Sequence, residues 1–215
     1  MASNWDLIVL GIGGFGSAAA AHAARAGARV LGLEQHEICH SLGSSHGETR
    51  IIRKAYFEHP DYVPLLEQAY RNWADLEQAS NRKLFERVGL FLAGEENSLV
   101  VKGTSDAARM HNLPLEHLSS AEARQRFPDY AFRDSDAILF EADAGFLHVE
   151  ECVRQHVELA KRQGAEIREH AVVQGWKPSG NGVEVRTDSE VLHADRLIVT
   201  AGAWTSRLLT DLGIP

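Results

Sequence analysis

The run Gly11-Ile12-Gly13-Gly14-Phe15-Gly16 fits the pattern GxGxxG, and its spaced glycines suit the capture of a pyrophosphate. A glycine at 11 permits the tight turn out of a strand. At 13 the missing Cβ lets backbone approach phosphate oxygens, and at 16 it lets the next helix pack closely on the strand. Gly14 and Phe15 complete the loop at a helix N-terminus, where free N–H groups and the helix dipole favour negative charge. Glu34, about 20 residues on, can accept hydrogen bonds from ribose hydroxyls and would repel a 2′-phosphate, which disfavours NADP. Such a motif also occurs as a plain glycine-rich turn, so its setting decides.

A second group follows in Gly43-Ser44-Ser45-His46-Gly47-Glu48-Thr49-Arg50-Ile51-Ile52-Arg53. A guanidinium grips a carboxylate with two parallel hydrogen bonds, so Arg50 and Arg53 are candidates for an anion seat beside the cofactor. The alternative is a pair of surface arginines matched to Glu48 or Glu58.

The elements needed to position these groups can be read around them. Residues 6–10 (DLIVL) predict a buried strand, residues 14–26 an Ala-rich helix closed by Gly27, and residues 29–34 a second strand. This βαβ unit forces the two strands parallel. Residues 35–49 predict a polar loop. An amphipathic helix is expected over 61–79, with Tyr62, Leu65, Leu66, Ala69, Tyr70, Trp73 and Leu76 on its apolar stripe. A strand is expected at 84–93, a helix at 96–111, and strands around Gly145 within 137–148. Ser119 and Glu122 form a capping-box pattern, stopped by Pro128. A helix at 149–163 precedes short strands at 165–176 and 182–187. A buried strand at 196–201 ends in Thr200-Ala201-Gly202-Ala203-Trp204, a small-residue turn that leaves room for a second approach to the cofactor. The strand at 196–201 is expected beside the first strand.

The fold class expected is α/β, a dinucleotide-binding Rossmann-like domain with part of a second α+β domain. The expected organisation is 1–82 and 148–215 for the dinucleotide domain, with 83–147 in a separate layer. A net charge of −8 argues against nucleic acid and anionic membranes as partners. No apolar run reaches transmembrane length. The apolar stretch 7–24 lacks the positive flank of a secretory signal, and Cys39 and Cys152 form no paired framework, so a cytoplasmic setting is expected.

The run GSSHGETRIIRKAY resembles the corresponding loop of the monomeric sarcosine oxidase and N-methyltryptophan oxidase family. The similarity extends to the GxGxxG run, the DYVPL helix start, Gly89, Gly145 and the LIVTAGAW run. It implies an FAD-binding Rossmann-like domain of the glutathione-reductase type over 1–82 and 148–215, part of a second α+β substrate domain over 83–147, FAD as cofactor, and a small secondary amine and oxygen as reactants. In such a reaction an N-methyl amino acid is oxidised to an imine, which hydrolyses to formaldehyde, and hydrogen peroxide forms. By the same resemblance Arg53 holds the substrate carboxylate, and His46, Thr49 and Arg50 lie at the flavin ring. Ser44 and Glu34 match FAD contacts, and Val173 matches a position whose backbone meets the adenine. The family's covalent attachment cysteine and oxygen-activating lysine belong to a second half that this sequence does not include. Cys39 and Cys152 do not align with the attachment site. The chain is therefore expected to be a portion that is inactive alone. Two alternatives stay open: a flavin oxidase of glycine, a D-amino acid or pipecolate, and a nucleotide-binding fragment without catalysis.

Overall fold

A computed structural model describes residues 5–209. In chain order its strands are β1 (Trp5–Leu10), β2 (Val30–Leu33), β3 (Thr49–Ile52), β4 (Phe85–Glu86), β5 (Leu90–Gly94), β6 (Glu116–Leu118), β7 (Ala137–Glu141), β8 (Gly145–His148), β9 (Glu166–Arg168), β10 (Val173–Ser179), β11 (Gly182–Thr187) and β12 (Val191–Val199). The helices are α1 (Gly14–Arg25), α2 (Val63–Ser80), α3 (Leu99–Met110), α4 (Ser120–Arg126), α5 (Val149–Arg162) and the short α6 (Thr205–Leu208). Two compact units form, one from residues up to 49 with 148 onward, the other from residues 50–147.

The first unit is built on a six-stranded sheet in the order β10-β11-β12-β1-β2-β9. β1 pairs in parallel with β2 and with β12, so the strand some 190 residues away lies beside the first, as expected. Ile8, Val9 and Leu10 are at most 1% exposed, the mark of a parallel strand covered on both faces. One face packs α1 and α5, where Ala20, Ala21 and Ala24 meet Val157 and Ala160. Small side chains on α1 let the two helices approach closely. Ile8, Leu10, Leu31 and Leu33 form a second cluster with Val183, Val185 and Leu192.

β12 begins at Val191, five residues before the expected start. Its first half alternates, with Leu192 and Ala194 buried between the more exposed Val191, His193 and Asp195, and it pairs antiparallel with β11. A hairpin from β10 to β11 thus extends the parallel sheet.

The second unit carries two three-stranded sheets, β3-β8-β4 and β5-β7-β6. The expected strand 84–93 is two strands broken at Gly89, which has φ +77° and would place a Cβ 2.3 Å from the Phe140 ring. The division between units falls after residue 49, where the sequence suggested 82. Helix α2 packs with residues 83–147 because Tyr70 sets its ring edge-on to Phe85 at 5.3 Å, and Glu77 accepts the N–H groups of Leu84 and Phe85 at 2.7 and 3.0 Å. On that helix Val63, Tyr70 and Leu76 are buried, whereas Tyr62 and Leu65 of the expected stripe are exposed. The capping box forms: Ser119 N–H donates to Glu122 at 2.8 Å and Glu122 N–H to the Ser119 hydroxyl at 3.3 Å.

Between α1 and α5, His156 is buried, with the His22 ring centroid 6.4 Å away. Burial pushes its pKa down to about 4, charge on His22 acts the same way, and a hydrogen bond with Cys152 opposes both. The unfolded chain therefore takes up the proton first, so stability is full above about pH 6.5 and falls as pH drops towards 4. Between pH 7.5 and 5.5 this site should cost about 1–2 kcal/mol. Denaturant titrations at both pH values should show that difference shrinking in His156→Leu. An equal pH dependence in the two proteins would refute the assignment.

Candidate functional site

The turn after β1 is closed by two glycines that the fold itself demands. Gly11 has φ +86°, and a Cβ there would lie 2.7 Å from the Thr200 carbonyl oxygen and 2.9 Å from Ala201 Cα. A Cβ on Gly16 would lie 1.8 Å from the Gly11 carbonyl oxygen. Gly13 is different. It is the N-cap of α1 with φ −79° and ψ −155°, extended backbone open to any residue, and its Cβ would meet only the Ser45 hydroxyl at 3.1 Å. Nothing within the described protein requires glycine at 13. Its missing Cβ leaves the backbone open to a group from outside, the feature by which such loops admit a pyrophosphate.

Helix α1 has no side-chain cap from Gly13 and no acidic residue in its first turn. The Ser45 hydroxyl accepts from Gly14 N–H at 2.8 Å. Ser45 was missed from sequence, where Ser44 was singled out; Ser44 is exposed. The partner of Ser45 is 31 residues away, so no local pattern reveals it. Phe15 is 86% exposed and contributes nothing to the core.

Glu34 is buried at the end of β2. One carboxylate oxygen accepts Ile12 N–H at 2.8 Å and the other His36 N–H at 3.1 Å, so it ties the glycine loop to the second strand. His40 faces it, Nε2 to Oε1 at 3.5 Å. Because His40 Nδ1 accepts Leu42 N–H at 3.1 Å, Nε2 carries the proton and points it at Glu34. From the third strand, Thr200 donates its hydroxyl to the Gly11 carbonyl at 2.8 Å. Gly202, with φ +54°, then opens a 3-10 turn, Gly202–Trp204. Val173 begins β10, two residues past Ala171, whose N–H bonds to the Glu34 carbonyl at 2.8 Å. The loop, Glu34 and the turn after β12 thus converge at the C-terminal ends of β1, β2 and β12, the usual ligand edge of an open α/β sheet.

The loop before β3 is tied to α5. Glu150 accepts the N–H groups of Gly47 and Glu48 at 2.8 and 3.3 Å, and Cys39 donates its thiol to the Glu150 carbonyl at 3.2 Å. Burial opposes ionisation of Glu150, but its own amide, those of Glu48 and Gly47, and charge on His46 hold its pKa below the usual value. Gly47 and Glu48 both have positive φ, and this anchor holds their turn. His46 is half-buried, and Thr49 is exposed at the start of β3.

Arg50 and Arg53 belong to the second unit. Arg50 is exposed on β3. Arg53, with its side chain 19% exposed, lies over the Tyr56 ring at 4.6 Å and the Phe57 ring at 5.5 Å. Its Nε is buried and has no hydrogen-bond partner among the described residues. Glu58 pairs with it at 3.5 Å, as the surface-pair alternative proposed, but Glu58 is itself 42% exposed.

A parallel sheet with a glycine loop after its first strand, an acid ending the second and a small-residue turn after a third defines a dinucleotide-binding α/β protein. The chain belongs to the FAD dependent oxidoreductase family, which it matches over residues 6–215. It is 42% identical to the monomeric sarcosine oxidase of Streptomyces avermitilis over its whole length, covering 56% of that protein. It is 35% identical to the N-methyl-L-tryptophan oxidase of Yersinia pestis, over 98% of this chain and 57% of the other. NikD, described as an unusual amino acid oxidase essential for nikkomycin biosynthesis, superposes with a TM-score of 0.88 at 26% identity, over 99% of this chain and 55% of NikD. The chain thus spans about half the length of the curated relatives it matches. Among the described residues no helix is long and apolar enough to cross a membrane.

Proposed function

We propose that this chain supplies the FAD-binding part and the carboxylate-binding arginine of an oxidase acting on a small N-methylated amino acid such as sarcosine. The observation that carries the reading is Arg53, a half-buried cation stacked on two aromatic rings with its Nε unpartnered among the described residues. Such a group gains most from a planar anion that fits its fork.

Gly11, Gly13, Gly14, Phe15 and Gly16 hold the pyrophosphate at the start of α1. Glu34 receives the ribose hydroxyls, and Ser44, Val173 and Gly202 line the remaining length of the cofactor. Bound FAD supplies the two-electron acceptor chemistry. His46, Thr49 and Arg50 line the flavin ring, and the fixed charge of Arg50 favours negative charge developing there. Arg53 holds the substrate carboxylate, which orients the N-methyl group. The balanced reaction for sarcosine consumes oxygen and water and releases glycine, formaldehyde and hydrogen peroxide. The first unit serves the cofactor, and the second, residues 50–147, carries Arg53 and serves the substrate. Cys39 and Cys152 are not joined in a disulfide, which favours a reducing cytoplasmic setting.

Flavin in the purified protein, released or retained on acid precipitation, tests the cofactor assignment. In the enzyme containing this chain, sarcosine should yield peroxide and formaldehyde in equal amounts. Peroxide from glycine without formaldehyde would favour the second reading, a flavin amino-acid oxidase, for which the likeness to NikD speaks. Peroxide from neither would overturn both.

A further inference from the structure

In the second unit a buried carboxylate outside the candidate site holds the backbone on which Arg53 stands. Glu141 ends β7 and is 5% exposed. A carboxylate at that depth is costly unless its oxygens are satisfied. Oε1 accepts Lys54 N–H at 2.7 Å, and Oε2 accepts Ala55 N–H at 3.0 Å. The Lys54 N–H lies in the peptide plane shared with Arg53, so this bond fixes the orientation of the plane that leaves Arg53. The next plane is fixed by the second bond.

The same turn grips Lys54 from its side chain. Lys54 Nζ meets the Asp143 carboxylate at 2.8 Å and lies 4.7 Å above the Tyr70 ring, and the Tyr70 hydroxyl donates to the Asp143 carbonyl at 3.2 Å. Ala55, fully buried, follows, and then come Tyr56 and Phe57, the two rings under the Arg53 guanidinium. The pinned peptides therefore lie between the arginine and its aromatic floor. They set the distance and tilt of one against the other.

We propose that Glu141 is a positioning residue that presents Arg53 to the substrate carboxylate. This rests on the reading of Arg53 given above. A carboxylate is needed because two N–H groups require two acceptors. Glutamine offers one acceptor and turns an NH2 group towards the other amide.

The test uses this chain with 15N-labelled arginine, together with the flavin-loaded enzyme that contains it. Glu141→Gln is expected to speed solvent exchange of the Arg53 Nε–H about tenfold, on the scale of one hydrogen bond to a charged group. In the loaded enzyme the KM for sarcosine should rise about tenfold by the same loss, with kcat little changed. A methylated amine without a carboxylate should be turned over as by the unaltered enzyme, a selectivity that general loosening of the fold would not produce. Glu141→Asp keeps both acceptors at shorter reach and should fall between the two; it also decides the matter if the glutamine variant does not fold. Unchanged Arg53 Nε–H exchange, with Lys54 and Ala55 amides deprotected, would overturn the proposal. If Arg53→Met leaves the KM for sarcosine unaltered, the carboxylate reading fails instead. Exchange at Arg53 would then still report on Glu141.

Discussion

Gly13→Val is expected to leave a folded chain that no longer takes up FAD, whereas Gly16→Ala is expected to undo the packing of α1 on β1. The two substitutions fall three residues apart in one motif, yet they meet different obstacles. At 13 the backbone is extended and the nearest atom to a new Cβ is the Ser45 hydroxyl at 3.1 Å, which a χ1 rotation can move. Folding stability should change by no more than about 1 kcal/mol, the usual scale for an accommodated substitution. The isopropyl group would, however, fill the space a pyrophosphate needs against the α1 N-terminus. At 16 the new Cβ would sit 1.8 Å from a carbonyl oxygen and 2.7 Å from the Thr200 hydroxyl oxygen. Backbone cannot rotate away, so α1 must lift off the sheet and loosen the contacts of Ala20, Ala21 and Ala24. The cost should reach about 3 kcal/mol or more, the upper range for overpacking. Urea titrations and flavin absorbance on both variants separate the effects. Normal flavin content in folded Gly13→Val would remove the cofactor assignment; an unshifted unfolding midpoint in Gly16→Ala would contradict the packing described for α1.

What could be read from the sequence was local. The GxGxxG turn, the capping box at Ser119 and the αβ alternation of the first 34 residues are patterns whose partners lie within a few residues, and the structure reproduces them. The pairing of β12 with β1 was legible for another reason: an apolar run such as LIVTA asks for a place inside a sheet, and it pairs there, although the run is only partly covered and Ile198 is 37% exposed, not buried as expected. The groups that went unseen work across long separations. Ser45 caps Gly14, and Glu141 takes two amides 86 and 87 residues before it. Nothing in the runs SSHG or LFEAD distinguishes these side chains from ordinary polar residues. The misjudged stripe of α2 has a related cause. Periodicity gives the apolar face, but which of its residues are covered depends on where Phe85 and the segment after it arrive.

Arg53→Lys should lower kcat/KM for a carboxylated amine by about 1.5–3 kcal/mol, roughly ten- to more than a hundredfold, while FAD content stays the same. Lysine keeps the positive charge, so the expected loss comes from geometry. The guanidinium is flat, lies over Tyr56 and Phe57, and presents parallel N–H groups to two oxygens. An ammonium group is a hydrated point charge that cannot stack in the same way or donate in a fork. The existing pair with Glu58 does not rival a bound carboxylate, because an ion pair at 3.5 Å with a 42% exposed partner is worth at most about 1 kcal/mol. Steady-state kinetics with sarcosine and with a methylated amine lacking the carboxylate give the comparison, and flavin absorbance controls for cofactor loss. The arginine and lysine enzymes should differ strongly on the first substrate and little on the second. Equal catalytic efficiency with sarcosine would exclude Arg53 as the carboxylate's partner and return it to the role of a surface cation paired with Glu58.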